Sequence, residues 1–260
     1  MNLLLLSPDE LRPDGTATLT GRRLLHAREI LKAQPGDTLR CGVLGGLTGT
    51  GTIVSLTEDA LALSLSLTEP PPPRAQVDLL LAMPRPKALK RLLPQFAQLG
   101  IDRVVLLNAA RVEKSYFSSP ALHADTQREL LVQGLEQAKD TRLPEVLVRE
   151  RFKPFVEDEL DAMFPQHERL VAHPHTLALT PTQTPTPTQT QTQTPTQTPT
   201  PAPTRVLLAI GPEGGWVPFE LELLAAHRFT AWSAGPRILR TETAVPFLLG
   251  MLSAHAGGPR

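Results

Sequence analysis

Two short segments carry the residues whose types and spacing best suit ligand binding. Ile210 to Gly215 (IGPEGG) follows an apolar run that starts at Val206, and Gly235 to Ala244 (GPRILRTETA) follows a second apolar run, Phe229 to Ala234. Glycine has no side chain and tolerates positive φ, so the backbone of such segments can approach a bound molecule closely. We therefore predict two ligand-binding loops at two strand ends. A tight structural turn is the alternative reading of IGPEGG taken alone.

These two segments match neither of the common phosphate-binding motifs. Neither contains G-x-x-x-x-G-K-[ST], and neither places G-x-G-x-x-G between a strand and a helix. Metal binding is not expected either, because Cys41 is the single cysteine and the pair His173 and His175 has no third ligand close in sequence. The residues of these segments thus argue against a nucleotide phosphate site and against a metal site.

The elements that must position these loops follow residue 75, where apolar runs alternate with helical segments. This alternation is typical of a mostly parallel sheet covered on both faces by helices. The predicted strands are Val77 to Ala82, Arg103 to Asn108, Glu145 to Arg149, Arg169 to Ala172, Val206 to Ile210 and Phe229 to Ala234.

Three helices are predicted between and after these strands. Apolar residues at helical spacing from Leu89 to Leu99 indicate a helix that ends at Gly100, with Pro94 expected to kink it or to delay its start. Ser119 and Pro120 suit the N-cap and first turn of a helix that runs to about Lys139. A last helix is predicted from Ala244 to Leu252, with Pro246 in its first turn.

The first 69 residues have the pattern of a small β domain. Strands are predicted at Leu3 to Leu6, Thr38 to Val43, Gly51 to Leu56 and Leu61 to Leu67. In the last of these, leucine alternates with small residues, which places four leucines on one face of a sheet. Five glycines are expected to form hairpin turns, namely Gly42, Gly45, Gly46, Gly49 and Gly51.

Two proline-rich stretches suggest how the chain is divided. Residues 70–75 contain four consecutive prolines, which favour an extended linker between two domains. Residues of about 180–204 are Pro/Thr/Gln repeats without an apolar face, and we expect them to form a disordered insertion. The predicted domains are therefore 1–69 and 76–260, joined by the linker 70–75. A glycosylated stalk is the alternative for the repeat.

Charge is distributed unevenly along a chain of 260 residues whose formal net charge is zero. From Arg85 to Lys114 there are seven basic and two acidic residues, and from Arg12 to Arg40 there are six and three. Such segments suit nucleic-acid binding, although a solvated surface explains each one equally simply. The apolar start of the chain is too short for a signal peptide, and no run is long enough to span a bilayer. With one cysteine, these features favour a cytoplasmic protein.

Taken together, GPEGG and GPRILRTETA resemble the C-terminal signature of the RsmE-type 16S ribosomal RNA (uracil-N3)-methyltransferases, within the SPOUT class of trefoil-knotted enzymes. Weaker similarity extends over the chain: His26 to Lys32 before Pro35-Gly36-Asp37, Gln98-Leu99-Gly100, and Glu136-Gln137 followed by Arg142-Leu143-Pro144. Lys32 and Gln98 depart from the family pattern, which has arginine and glutamate there.

The resemblance implies an α/β fold in which a small N-terminal PUA-like β-barrel (1–69) aids RNA recognition and a C-terminal trefoil-knotted SPOUT domain (76–260) binds S-adenosyl-L-methionine. It implies a cytoplasmic homodimer acting on 16S ribosomal RNA of the small ribosomal subunit, without metal or membrane. His173 or Pro174 is expected to line the cofactor pocket. The cofactor-binding residues implied are Ile210, Gly211, Glu213, Gly214, Gly215, Ile238, Leu239, Thr241, Thr243 and Ala244.

Uracil N3 carries a proton and is a weak nucleophile, so a site must remove that proton or stabilise the anion. Arg240 and Glu242 are the predicted catalytic residues: Arg240 would stabilise negative charge or bind phosphate, and Glu242 would accept a proton or orient the arginine. The alternative is a structural ion pair between them, and Glu213 has a base or a structural role. The predicted RNA-binding residues are Arg28, Lys32, Arg85 and Lys87.

Two other functions stay open at the level of sequence. A knotted methyltransferase of this kind could act on another RNA or another base. Alternatively, the chain could bind cofactor and RNA in ribosome assembly without catalysis. Trp216 and Trp232 are interpreted as core or interface residues rather than as platforms for stacking bases.

Overall fold

The computed structural model describes residues 2–173 and 205–256, with side chains through residue 253. The predicted Pro/Thr/Gln insertion, Pro174 and His175 lie outside the described residues. The chain divides into two compact units whose ranges interleave. Unit 1 comprises Met1–Ala75, Met83–Val105 and Glu113–Val148, and unit 2 comprises Gln76–Ala82, Leu106–Val112 and Arg149–Arg260.

Unit 1 contains a five-stranded mixed sheet. Its strands are β1 (Leu4–Leu6), β2 (Thr16–Leu19), β3 (Thr38–Val43), β4 (Thr48–Leu56) and β5 (Leu61–Glu69). Their order in the sheet is β1-β3-β4-β5-β2, with β1 parallel to β3 and the other neighbours antiparallel. All four predicted strands are present, and β2 is a strand that the sequence reading missed.

The alternation predicted for β5 is confirmed by its burial. Leu61 and Leu63 are completely buried, and Leu65 and Leu67 pack against the same apolar cluster. The serines between them, Ser64 and Ser66, are exposed. A strand with one buried face needs this period of two.

The glycines of this region have two roles, only one of which was predicted. Gly45, at φ 76°, lies with Gly46 in the turn between β3 and β4. Gly42, Gly49 and Gly51 instead lie inside strands, so their assignment to turns was wrong. A Cβ on Gly49 would lie 2.0 Å from the backbone oxygen of Ser66, so this position excludes any side chain. Glycine inside a strand commonly marks such a close approach.

Three α-helices belong to unit 1. They are α1 (Gly21–Leu25), which continues through a π-helical turn at His26–Ile30, α2 (Pro86–Gln98) and α3 (Ala124–Ala138). Helix α2 ends as predicted, with Gly100 at φ 68°. Its start is not delayed: the helix begins at Pro86 and includes Pro94. A proline at the first helical position is favourable, because the N–H it lacks would have no partner there.

The predicted helix start at Ser119 is correct only for a short 3-10 turn. The Ser119 hydroxyl accepts a hydrogen bond from the Ala121 N–H at 3.2 Å and caps the turn Pro120–Leu122. The α-helix itself starts at Ala124. Its C-cap, Lys139, has φ 58°, a conformation that ends a helix in the left-handed region.

The second sheet has six strands, and its described pairings are parallel. Its strands are β6 (Val77–Ala82), β7 (Arg103–Leu107), β8 (Glu145–Arg149), β9 (Glu168–Ala172), β10 (Val206–Ile210) and β11 (Thr230–Trp232). The order is β11-β9-β10-β6-β7-β8. Strand β10 pairs with β6 and β9, and every residue of β6 and β10 is buried. Continuous apolar runs suit strands that are covered on both faces.

Among the described residues of unit 2, the α-helices are α4 (Phe152–Pro154), α5 (Leu160–Met163), α6 (Pro218–Ala226) and α7 (Thr241–Ala256). A π-helical turn, Phe155–Glu159, joins α4 to α5. Helix α7 starts three residues before the predicted start at Ala244, so Pro246 lies in its second turn and not in the first. The predicted position of Pro246 was therefore wrong.

Candidate functional site

A cavity of about 330 Å³ lies where β9, β10 and β11 end. Parallel strands end at the same edge of a sheet, and ligands of open α/β sheets bind outside that edge. The volume is at the lower end of the range for small-molecule pockets. The cavity is lined by Arg111, Ala172, His173, Ile210, Gly211, Pro212, Glu213, Gly214, Gly215, Trp216, Trp232, Ala234, Gly235, Arg237, Ile238, Leu239, Thr241, Ala244 and Leu248.

The loop after β10 forms one wall of this cavity and requires glycine at several positions. The Gly215 N–H donates to the Pro212 carbonyl at 2.8 Å, and Gly215 has φ 75°. A Cβ on Gly211 would lie 2.9 Å from Nε1 of Trp216, and a Cβ on Gly214 would lie 3.0 Å from Cδ of Arg111. The glycines therefore let two large side chains pack directly on the loop backbone.

A buried carboxylate ties this loop to the loop that follows β7. Glu220 is 2% exposed and accepts hydrogen bonds from the backbone N–H of Ala110 at 2.7 Å and of Val217 at 3.0 Å. A carboxylate at this position also complements the dipole at the start of α6. Arg111, the neighbour of Ala110, donates from Nη1 to the Gly214 carbonyl. Glu220 thus places Arg111 beside the glycine loop.

The loop between β11 and α7 forms a second wall. Gly235 has φ 120°, a backbone conformation that disfavours any other residue. Ile238 lines the cavity although it is 75% exposed, and Leu239 lies next to it in the same wall. The loop ends where the Arg240 carbonyl accepts the N–H of Ala244 at 2.8 Å, at the first turn of α7.

Nine of the ten residues predicted to bind cofactor line this one cavity. Thr243 does not line it and is exposed on α7. The predicted catalytic residues lie next to the lining: Arg240 is exposed between Leu239 and Thr241, and Glu242 is half-buried. Their assignment to catalysis stays a prediction.

The lining residues outside the predicted cofactor-binding set include four large side chains, Arg111, Trp216, Trp232 and Arg237. Trp216 is 5% exposed and packs against Phe152 with ring centroids 5.9 Å apart, as expected for a core residue. It also lines the cavity, which that interpretation does not predict. Arg237 belongs to the GPRILRTETA segment, which is predicted to be a ligand-binding loop. Arg111 belongs to the basic segment from Arg85 to Lys114, but nothing local predicts its place in this cavity, because it is 103 residues from Gly214 in sequence. His173, which the resemblance placed near the pocket, lines it.

The predicted RNA-binding residues lie on unit 1. Arg85 and Lys87 are exposed at the start of α2. Lys32 is exposed with φ 51°, and Arg28 donates to the carbonyl of Glu58 at 3.2 Å. Their role in RNA binding stays a prediction.

Within residues 2–173 and 205–256, no group of three or more His, Cys, Asp or Glu side chains is placed to hold a metal ion. None of the helices in those ranges is both long and apolar enough to cross a membrane.

A parallel sheet with a cavity at its carboxyl edge, bounded by a glycine-rich loop, defines an α/β protein that binds a small organic ligand. The family described as RNA methyltransferase domain matches residues 70–253. Ribosomal RNA small subunit methyltransferase E of Treponema pallidum is 30% identical over 259 residues, covering 98% of this chain and 92% of that protein. The Bacillus subtilis protein of the same name is 22% identical over 95% of this chain and 93% of its own length.

Solved structures show the same fold. One is a ribosomal RNA small subunit methyltransferase E from Neisseria gonorrhoeae bound to S-adenosyl methionine, with a TM-score of 0.70 at 18% identity and 98% of both chains covered. Another is a putative methyltransferase from Legionella pneumophila in complex with the cofactor, with a TM-score of 0.69 at 23% identity, covering 100% of this chain and 99% of that one. The chain belongs to the ribosomal RNA small subunit methyltransferase E family and is an RNA methyltransferase, which confirms the resemblance inferred from the two loops.

Proposed function

We propose that this enzyme transfers a methyl group from S-adenosyl-L-methionine to N3 of a specific uridine in 16S ribosomal RNA. The observation that carries the proposal is that two segments separated in sequence, IGPEGG and GPRILRTETA, line one cavity at the carboxyl edge of the sheet. The names of the relatives support the RNA substrate, and the cofactor bound in two solved relatives supports the methyl donor.

The residues around the cavity suit this cofactor. Ile210, Ile238, Leu239 and Leu248 supply apolar surface for a purine ring, and the backbone of residues 211–215 can approach a ligand without intervening side chains. Recognition through backbone groups and apolar contacts is typical of small-molecule sites. The cofactor, when bound, supplies an electrophilic methyl group on a sulfonium.

The protein's part in the reaction is to align the acceptor and to handle its proton. A bond forms between uracil N3 and the methyl carbon as the carbon–sulfur bond breaks, and the N3 proton must leave. We assign that proton to the Glu242 carboxylate and the stabilisation of negative charge on the ring to the Arg240 guanidinium. Groups fixed in advance around a developing charge are an effective means of lowering a barrier.

The finer architecture is also part of the proposal. A trefoil knot around the cofactor, a PUA-like barrel in residues 1–69 that aids RNA recognition, and a homodimer are features that the family membership supports. The boundary at residues 70–75 belongs with them. A cytoplasmic location follows from the proposed substrate, the small ribosomal subunit.

Calorimetric titration and methylation assays test the proposal together. The purified protein is expected to bind S-adenosyl-L-methionine without added metal. It should also incorporate labelled methyl groups into small ribosomal subunits from cells that lack the enzyme. Cofactor binding without methylation of 16S ribosomal RNA would instead favour a binding protein of ribosome assembly, and an absence of cofactor binding would refute the assignment of the cavity.

A further inference from the structure

The cavity wall carries two arginines, Arg111 and Arg237, that form no ion pair among the described residues. Most described arginines of this chain do pair with acids, for example Arg23 with Glu10 and Arg205 with Asp78. Both of the unpaired arginines are exposed while they line the cavity. They therefore present positive charge to whatever approaches its opening.

The two side chains differ in how they are held. Arg111 donates from Nη1 to the Gly214 carbonyl, and this contact orients its guanidinium while leaving its other N–H groups available. Arg237 makes no hydrogen bond or ion pair among the described residues. It lies beside Ile238, an apolar side chain that is also exposed at the cavity. A cation next to an exposed apolar surface suits a ligand that has both a phosphate and a base.

The charge of the cofactor argues that these arginines serve another ligand. S-adenosyl-L-methionine carries a sulfonium, an ammonium and one carboxylate, so its net charge is positive and two nearby arginines oppose its binding. The phosphates of RNA are the opposite case, because each one attracts a guanidinium and can accept two parallel hydrogen bonds from it.

We propose that Arg111 and Arg237 bind backbone phosphates next to the target nucleotide and so hold that nucleotide at the mouth of the cofactor cavity. The inference rests on the proposed function, since it assigns the RNA side of the same site. Phosphate contacts of this kind fix the register of a nucleic acid without reading its sequence.

The test is the salt dependence of RNA binding, because each phosphate contact releases counterions. Binding of a fluorescein-labelled decauridylate is measured by anisotropy over a series of sodium chloride concentrations. For Arg237→Ala and for Arg111→Ala, the slope of log affinity against log salt concentration should fall by about 0.7, the value for one contact to a single strand. Arg111→Lys keeps the charge and should keep the wild-type slope.

Arg228→Ala is the matched control. Arg228 lies just before β11, at the amino ends of the strands, whereas the cavity lies at their carboxyl ends. Removing Arg228 changes the net charge by the same amount as removing Arg111 or Arg237. We expect the control to keep both the wild-type slope and the wild-type cofactor affinity, the latter measured by calorimetry. A slope that is unchanged in both alanine variants, or that falls as much in the control, overturns the inference.

The outcomes also separate this inference from the proposed function. If cofactor affinity falls in the alanine variants while the salt slope stays, the anion is the cofactor carboxylate and the phosphate assignment is wrong. Failure of the proposed function appears in the wild type, which would then bind no cofactor. The comparison of salt slopes still decides the inference in that case, because it does not require methylation.

Discussion

Gly211 is the glycine of the loop after β10 at which an added side chain would approach its neighbours most closely. A Cβ there would lie 2.9 Å from Nε1 and 3.1 Å from two ring atoms of Trp216. Because the indole is buried and cannot easily move, the added atom must displace the loop backbone. Gly211→Ala should weaken S-adenosyl-L-methionine binding by about tenfold or more, as expected when a close fit is lost. Calorimetry measures the effect.

Gly250→Ala is the control for that substitution. Gly250 lies in α7 with nothing within 4 Å of an added Cβ, so alanine there should stabilise the helix and leave cofactor affinity unchanged. Equal affinity in the two variants would show that the loop after β10 does not contact the cofactor.

At the same scale, Arg240→Ala and Glu242→Gln should separate catalysis from binding. Both residues flank the cavity lining without being part of it, so cofactor affinity should change little. Turnover should fall by about a hundredfold or more, as for the removal of a donor that stabilises an anion. Single-turnover methylation of small ribosomal subunits provides the measurement. An equal loss of affinity and turnover would support a structural ion pair instead.

Raising the pH gives a further readout for Glu242→Gln. If Glu242 accepts the N3 proton, higher pH should restore part of the turnover, because solvent can then remove that proton more readily. Arg240→Ala should show no such recovery. A Glu242→Gln profile parallel to that of the wild type would contradict the role of Glu242 as a base.

The two loops were predictable from sequence because glycines and short apolar runs are local signals. Arg111 was not, because its place in the site depends on the buried contacts of Glu220 with Ala110 and Val217. The sequence predicts Trp216 as a core or interface residue, and its side chain is buried. Its contact with the cavity follows from the close approach of Gly211, which only the structure shows.

At the scale of elements, α2 and α3 meet at a glycine that admits no side chain. A Cβ on Gly134 would lie 2.2 Å from the Pro94 carbonyl oxygen and 2.9 Å from Cβ of Ala97. Gly134→Ala should therefore lower the free energy of unfolding by about 1–3 kcal/mol, the usual cost of overpacking, despite the higher helix propensity of alanine. Urea denaturation measures this, and an increase in stability would contradict the packing described.

The stability of unit 1 at acid pH should depend on the ion pair between Glu10 and Arg23. The Arg23 guanidinium hydrogen-bonds Glu10 and lowers the pKa of that carboxyl, with the Ser7 N–H acting in the same direction. Because the pKa is lower in the folded state, the stabilisation is present above the unfolded pKa. It is lost as pH falls through the folded value.

Glu10→Gln should consequently be less stable than the wild type at neutral pH, and the difference should shrink as the pH falls through the folded pKa of Glu10, where the wild-type carboxyl also becomes protonated. Unfolding by urea at a series of pH values measures the difference. Glu58→Gln, at an exposed glutamate without an ion pair among the described residues, is the control. A difference between Glu10→Gln and the wild type that does not vary with pH would contradict this account.

Strand positions were predicted better than helix starts, for a physical reason. Continuous apolar runs mark buried strands directly, and Val77 to Ala82 and Val206 to Ile210 have the predicted bounds. Helix starts are harder to predict, because a proline inside a helix loses a backbone hydrogen bond, and tertiary packing can offset that loss. Pro94 lies inside a helix for which the sequence predicts a kink or a later start, and Pro246 lies in the second turn of a helix for which the sequence predicts a proline in the first turn.

At the scale of the whole molecule, contacts within unit 1 join residues far apart in sequence. The Glu136 carboxylate is 2% exposed and pairs with Arg22 at 2.7 Å, and the Glu136 carbonyl accepts the Asn2 N–H at 3.0 Å. A composition shift at residues 70–75 predicts a linker but gives no information about such contacts. The two compact units interleave in sequence, whereas the predicted domains follow each other.

The most direct test of the central claim is to locate the methyl group. Small ribosomal subunits from cells that lack the enzyme are incubated with the protein and S-adenosyl-L-methionine, and the 16S ribosomal RNA is digested and analysed by mass spectrometry. We predict N3-methyluridine at one position with the wild-type protein. Arg240→Ala at the same concentration and incubation time should give none. A methyl group on another base or another atom, or none with a protein that binds the cofactor, would contradict the account.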